Sequence, residues 1–198
     1  MSNQKNAIII GSGIAGLAAS LRLRAKGYEV QVFETNDYPG GKIHNLESAG
    51  YRFDTGPSLF TMPHFVDELF ELFDDNPADY FRYKKKETIC NYFWEDGTRF
   101  TVNADRTTFI KEATETFDVE EIALQKYLTN SQKKYDATAH IFLEKSLHKV
   151  RSYMSMATLK SLIKSAGLGI NNTLHQENTL HFKDAKLVQL FDRYATYN

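Results

Sequence analysis

The sequence holds one cysteine, Cys90, one tryptophan, Trp94, and 4 prolines in 198 residues. A lone cysteine excludes an internal disulfide and any metal site built on paired cysteines, so redox chemistry would need a borrowed cofactor. Cysteine usage of this kind fits a reducing cytosol. Long hydrophobic runs are lacking too. The first five residues are polar, and the apolar run Ala7–Ile10 is far shorter than a signal-peptide core or the roughly 20 residues of a membrane span. The expectation is a cytoplasmic chain with neither export signal nor transmembrane helix.

Charge of one sign is also missing overall, at a net −1, which argues against a nucleic-acid partner. The distribution is uneven, however. Residues 141–198 carry 8 basic and 4 acidic side chains, against 16 and 21 in residues 1–140. The six histidines (His44, His64, His140, His148, His175 and His181) show no metal-ligand spacing, and neither a G-x-S-x-G motif nor a pair of catalytic carboxylates occurs. No metal site is expected. What the chain does have is 42% hydrophobic and 13% aromatic residues, enough to bury a core.

Ala7–Ile10 ends at glycine and reads as a buried parallel strand. Leu17, Leu21 and Ala25 then recur at helical spacing up to Gly27, where a helix would be capped, and Glu29–Phe33 reads as a second strand. Strand, helix and strand fit within the length of a βαβ unit. Residues 35–63 are rich in turn formers, with Tyr51–Phe53 as a short strand between them. Phe65, Leu69 and Phe73 define an amphipathic helix over 64–73, ended by Asp74–Pro77. Residues 88–93 and 98–102 flank Asp96-Gly97, a hairpin signal. Helices are predicted over 105–117, 119–138, 156–166 and 184–194, and a loop over 167–178. Cys90 and Trp94 are expected to be packing residues on the hairpin.

Gly11, Gly13 and Gly16 form G-x-G-x-x-G immediately after the first strand and at the opening of the first helix. Gly11 permits the tight turn, Gly13 lets backbone approach a pyrophosphate, and Gly16 allows the helix to pack closely on the strand. Glu34 ends the second strand, 23 positions after Gly11, where an acid can bond adenosine ribose hydroxyls and favours FAD or NAD over NADP. The competing reading is an ordinary glycine-rich turn.

Beyond Glu34 the sequence continues to Pro39-Gly40-Gly41-Lys42. The run GSGIAGLAASLRLRAKGYEVQVFETNDYPGGK resembles the opening of the flavin amine oxidase superfamily, and YRFDTGPSLFTMP is similar to carotenoid desaturases of the phytoene desaturase type. The FWEDGT hairpin and the closing FDRYATYN resemble them too. The resemblance implies that Gly11, Ser12, Gly13, Ala15 and Gly16 line the diphosphate of FAD, that Glu34 holds the ribose, and that Gly40, Gly41 and Lys42 lie along the cofactor. It places Gly56, Pro57 and Ser58 in a turn near the flavin. Lys42 stands where the family usually has arginine, which keeps the charge but loses the bidentate fork, and a solvated surface lysine is the alternative.

The fold class so implied is α/β: a Rossmann-type FAD-binding βαβ unit, then a β-hairpin and a mostly helical substrate or lid region, with segments 1–70 and 71–198. The implied activity is desaturation of a lipophilic carotenoid by hydride transfer to FAD, with a lean toward the hydroxycarotenoid 3,4-desaturases. No catalytic residue is assigned. Residues 145–164 carry five lysines or arginines and no acid among apolar residues, which suits either a peripheral membrane contact or a solvated face over a core. Members of the family are longer, and the ending at Tyr197-Asn198 reads as an interruption. A truncated FAD-binding module and an amine-oxidizing flavoenzyme therefore stay open as alternatives.

Overall fold

The computed structural model describes residues 5–57, 59–143, 148 and 172–197. The chain folds as two compact units, Met1–Lys84 and Lys85–Asn198, each mixing helices with strands.

In the first unit, β1 (Asn6–Ile10) and β2 (Glu29–Phe33) pair in parallel, Ile8 beside Gln31, and α1 (Ile14–Ala25) connects them. The β-branched residues of β1 suit an extended chain, and Gly27, at φ +84°, takes the left-handed conformation that ends a helix. Ile8, Ile10 and Phe33 lie largely exposed on this two-stranded sheet. The turn-rich stretch contains more structure than its composition suggests. β3 (Asn45–Ser48) and β4 (Tyr51–Asp54) form an antiparallel hairpin, so the strand read at 51–53 has a partner. Ala49 and Gly50 join them with φ of +50° and +81°, the sign required for a two-residue turn that matches strand twist. α2 (His64–Glu71) follows, and Phe60, Phe70, Phe81 and Tyr83 gather in ring contacts.

In the second unit, β5 (Thr88–Phe93) and β6 (Arg99–Asn103) form the hairpin expected from Asp96-Gly97. α3 (Arg106–Thr116) starts at Asp105, whose carboxylate accepts the Thr108 amide at 2.8 Å. α4 (Glu121–Phe142), α5 (Leu174–His181) and α6 (Ala185–Asp192) complete the described helices. α5 corrects the loop predicted over 167–178. Its first turn is fixed by a capping box in which Thr173 and Gln176 satisfy each other's backbone amides. The predicted helix over 156–166 lies outside the described residues. Phe100, Phe109, Phe117, Leu124, Leu187 and Leu190 are buried in one core shared by β6, α3, α4 and α6. Trp94 packs against that core and donates its indole N–H to Gln189 at 2.7 Å, as expected of a packing residue.

Candidate functional site

The site is built where β1 passes into α1. Gly11 donates its amide to the Phe33 carbonyl at 2.7 Å, which ties the turn to the end of β2. Gly13 is the N-cap of α1; it has no side chain to take up the first amides, and the first turn carries no acid. Free donors and the positive end of the helix dipole suit an anion here. At Gly16 a Cβ would lie 2.0 Å from the Gly11 carbonyl oxygen, so only glycine lets α1 sit this close to the turn.

The second glycine pair folds onto the first. The Gly40 amide donates to the Ser12 carbonyl at 2.9 Å, and Gly13 and Gly40 form an isolated parallel bridge. A Cβ on Gly41 would come within 3.1 Å of the Gly13 Cα. Two backbone segments 27 positions apart, counted from Gly13 to Gly40, thus meet without side chains between them. Gly56 joins the same neighbourhood, since a Cβ there would stand 2.3 Å from the Lys42 carbonyl. Lys42, Ala15 and Pro57 are exposed beside these turns, and Ser58 lies outside the described residues.

Glu34 closes the site. Its Oε2 accepts the Ser12 amide at 2.7 Å and the Ser12 hydroxyl at 2.9 Å, while Oε1 accepts from the amides of Thr35 and Asn36 and from the Asn36 side chain at 2.9–3.0 Å. The Asn36 and Ser12 amide hydrogen bonds hold the carboxyl down to about 2, well below the usual carboxylate range. The group is therefore an ionised, acceptor-only partner at neutral pH. Ser12, read in the sequence as lining a diphosphate, gives its amide to Glu34 in this structure and is buried. Neither this pairing nor the part played by Asn36 was legible from the glycine pattern, because serine and asparagine carry no positional signature in it. Asp54, not assigned a catalytic role, pairs with Arg52 at 3.1 Å.

The second unit contains an apolar cavity of about 460 Å³. Ile89, Val102, Phe109, Leu128, Leu190 and Phe191 line it. Tyr127, on its wall, donates to the Asn178 side-chain carbonyl at 2.6 Å; Asn178 donates to Asp192 at 2.8 Å, and Asp192 meets His175 at 2.6 Å. Among the described residues no group of three or more His, Cys, Asp and Glu side chains is placed to hold a metal ion, and no helix is long and apolar enough to cross a membrane. The basic stretch 145–164 lies outside the described residues apart from His148.

The 1-hydroxycarotenoid 3,4-desaturase of Flavobacterium sp. is 61% identical over 194 residues, 98% of this chain and 39% of its own. The carotenoid 3,4-desaturase of Haloarcula japonica is 27% identical over 182 residues, covering 92% of this chain and 36% of its own. The chain thus spans less than half the length of these curated relatives. Among solved structures, a putrescine oxidase with a redesigned cofactor site superposes with a TM-score of 0.51 at 19% identity, over 93% of this chain and 35% of that one, a likeness of fold. A family model described as flavin containing amine oxidoreductase matches residues 14–195. On that match, which takes in most of the chain, the protein belongs to the flavin-containing amine oxidoreductase family, the superfamily that its glycine pattern resembles.

Proposed function

We propose that the first unit is a Rossmann-type FAD-binding fold, and that in a protein of its relatives' length it serves the desaturation of a hydroxycarotenoid. The 61% identity to the Flavobacterium enzyme across 98% of the chain carries the reading. The site suits the cofactor on its own terms: the α1 amides and bare Gly13 for a diphosphate, the ionised Glu34 for a sugar diol, and Gly40, Gly41 and Lys42 beside them. Gly11, Ala15 and Gly16 shape the turn, and Gly56 and Pro57, beside Lys42, would lie near the flavin when it is bound.

When bound, FAD supplies a two-electron oxidation, taking the hydride equivalent that a 3,4-desaturation removes. The protein's own residues bind and orient. Glu34 and the turn would hold the adenosine end, and the close Gly13–Gly41 approach leaves no room for a side chain between the two glycine segments. The apolar cavity of the second unit supports a hydrocarbon substrate. Residues 145–164, with five cations among apolar side chains, would dock on an anionic membrane surface where such a substrate resides, on the cytoplasmic side.

Three experiments test the reading. The purified 198-residue chain, titrated with FAD, should quench flavin fluorescence to a one-to-one endpoint; absence of binding overturns the cofactor assignment. A protein carrying this chain at full family length should convert a 1-hydroxycarotenoid to a product two hydrogens poorer, whereas oxidation of an amine with the carotenoid untouched overturns the substrate. Flotation with anionic liposomes should weaken when Lys145, Lys149, Arg151, Lys160 and Lys164 are reversed in charge, and unchanged flotation counts against docking.

A further inference from the structure

Five donors converge on Glu34, two on Oε2 and three on Oε1, more than the about four acceptor positions of a carboxylate, so a further hydroxyl on either oxygen has to take the place of a donor already there. Three of these donors are backbone amides, of Ser12, Thr35 and Asn36, and are fixed by the turns that carry them. The remaining two are side-chain groups, each able to leave by rotation about its own bonds: the Ser12 hydroxyl on Oε2 at 2.9 Å and the Asn36 amide on Oε1 at 3.0 Å. One withdrawable donor therefore sits on each oxygen. A ribose presents a vicinal diol, which also places one hydroxyl on each oxygen of a facing carboxylate.

We propose that the Ser12 hydroxyl and the Asn36 side-chain amide occupy the places of the two adenosine ribose hydroxyls on Glu34, and that the sugar must displace both to bind. The inference rests on the FAD reading of this site and adds to it a competitor built into the chain. These stand-ins keep the carboxylate oriented when no nucleotide is present, at the expense of affinity when one is. The two positions are not equivalent. Ser12 is only 5% exposed, so its displaced hydroxyl finds water with difficulty, while the exposed Asn36 amide is rehydrated at once. Ser12 is thus the stronger competitor.

The test is a comparison of FAD affinities, by flavin fluorescence, for the wild-type chain, Ser12→Ala and Asn36→Ala. Removing a displaced hydrogen bond to a charged group should tighten FAD binding by about 3–10-fold for Ser12→Ala and by about 2-fold for Asn36→Ala. An FAD analogue lacking both hydroxyls on the adenosine ribose should show no such gain, because nothing then has to leave Glu34. Unchanged or weakened FAD binding in both variants, or an equal gain with the analogue, overturns the proposal while the FAD reading stands on the wild-type titration. Failure of the wild-type chain to bind FAD removes both. Should Ser12→Ala not fold, the exposed Asn36→Ala alone decides between gain and loss.

Discussion

The Glu34 carboxylate receives both the amide and the hydroxyl of Ser12, at 2.7 and 2.9 Å, so the end of β2 is locked to the turn that opens α1. Replacing the carboxylate by an amide gives one oxygen and one NH2 where five donors converge, and turns one side of the site from acceptor to donor. Glu34→Gln is expected to weaken FAD binding by about tenfold or more, since hydrogen bonds to a charged acceptor are the stronger kind. Fluorescence titration of the purified variant checks this, and an affinity equal to wild type would remove Glu34 from the nucleotide site.

Two glycines of the fingerprint separate folding from binding. A Cβ at Gly16 would overlap the Gly11 carbonyl oxygen at 2.0 Å, so Gly16→Ala must push α1 away from β1, at a cost of about 1–3 kcal/mol. A Cβ at Gly13 would meet only the Gly41 Cα at 3.9 Å, an ordinary contact. Gly13→Ala should therefore cost no steric strain and only the roughly 1 kcal/mol by which alanine is the poorer N-cap, while it weakens FAD binding. Urea denaturation by circular dichroism paired with FAD titration distinguishes them. Unchanged FAD affinity in folded Gly13→Ala would show that this glycine acts on folding alone.

The glycines were legible in the sequence because their role is steric and local: a missing Cβ at a fixed offset from a strand means much the same wherever it occurs. The Ser12–Glu34 lock was not, since it depends on which side chains the turn happens to bring within 3 Å. α5 illustrates a different failure. Residues 167–178 read as a loop, yet Thr173 and Gln176 carry the T-x-x-Q signature of a capping box and start a helix at Leu174. β3 was hidden among turn formers because a two-residue hairpin becomes visible only once its partner strand is known. The cavity was invisible for a similar reason: its lining comes from β5, β6, α3, α4, α5 and α6, and no local pattern encodes such a meeting.

Among the described residues, each unit holds one carboxyl pulled down to about 2. Glu34 is held there by amides of Asn36 and Ser12, and Asp96 by Lys186 and the Thr98 amide. A lowered folded-state value contributes stability that is present above the ordinary values of 4.5 and 3.8 and is lost as pH falls toward 2. Trp94, the single tryptophan, lies in the second unit with the Lys186 ammonium 5.9 Å from its ring centre. Acid unfolding followed by Trp94 fluorescence should therefore lose part of its pH dependence between about 4 and 2 in Asp96→Asn and keep it in Glu34→Gln. The same slope in Asp96→Asn and wild type would show that the Lys186 pairing does not persist in solution.

Tyr127 supplies the opposite sign. Its burial pushes the phenol up to about 12 from 10, so the neutral form is the one the fold favours. The stability so contributed is fully present below pH 10 and is lost as pH rises from 10 toward 12. The phenol hydroxyl is also the donor to Asn178, whose side chain is fully buried between α4 and α6. Tyr127→Phe leaves the Asn178 carbonyl oxygen without that donor in a place that water reaches poorly, a loss of about 1–3 kcal/mol. Leu124→Ala, which empties buried volume in the same core, should cost about 2–5 kcal/mol at every pH. Urea denaturation read by Trp94 at pH 7 and pH 11 tests the pair: the gap between wild type and Tyr127→Phe should narrow at the higher pH, whereas the gap to Leu124→Ala should not. A Tyr127→Phe gap that stays constant would mean that the phenol ionises over the same pH range in the folded and the unfolded chain.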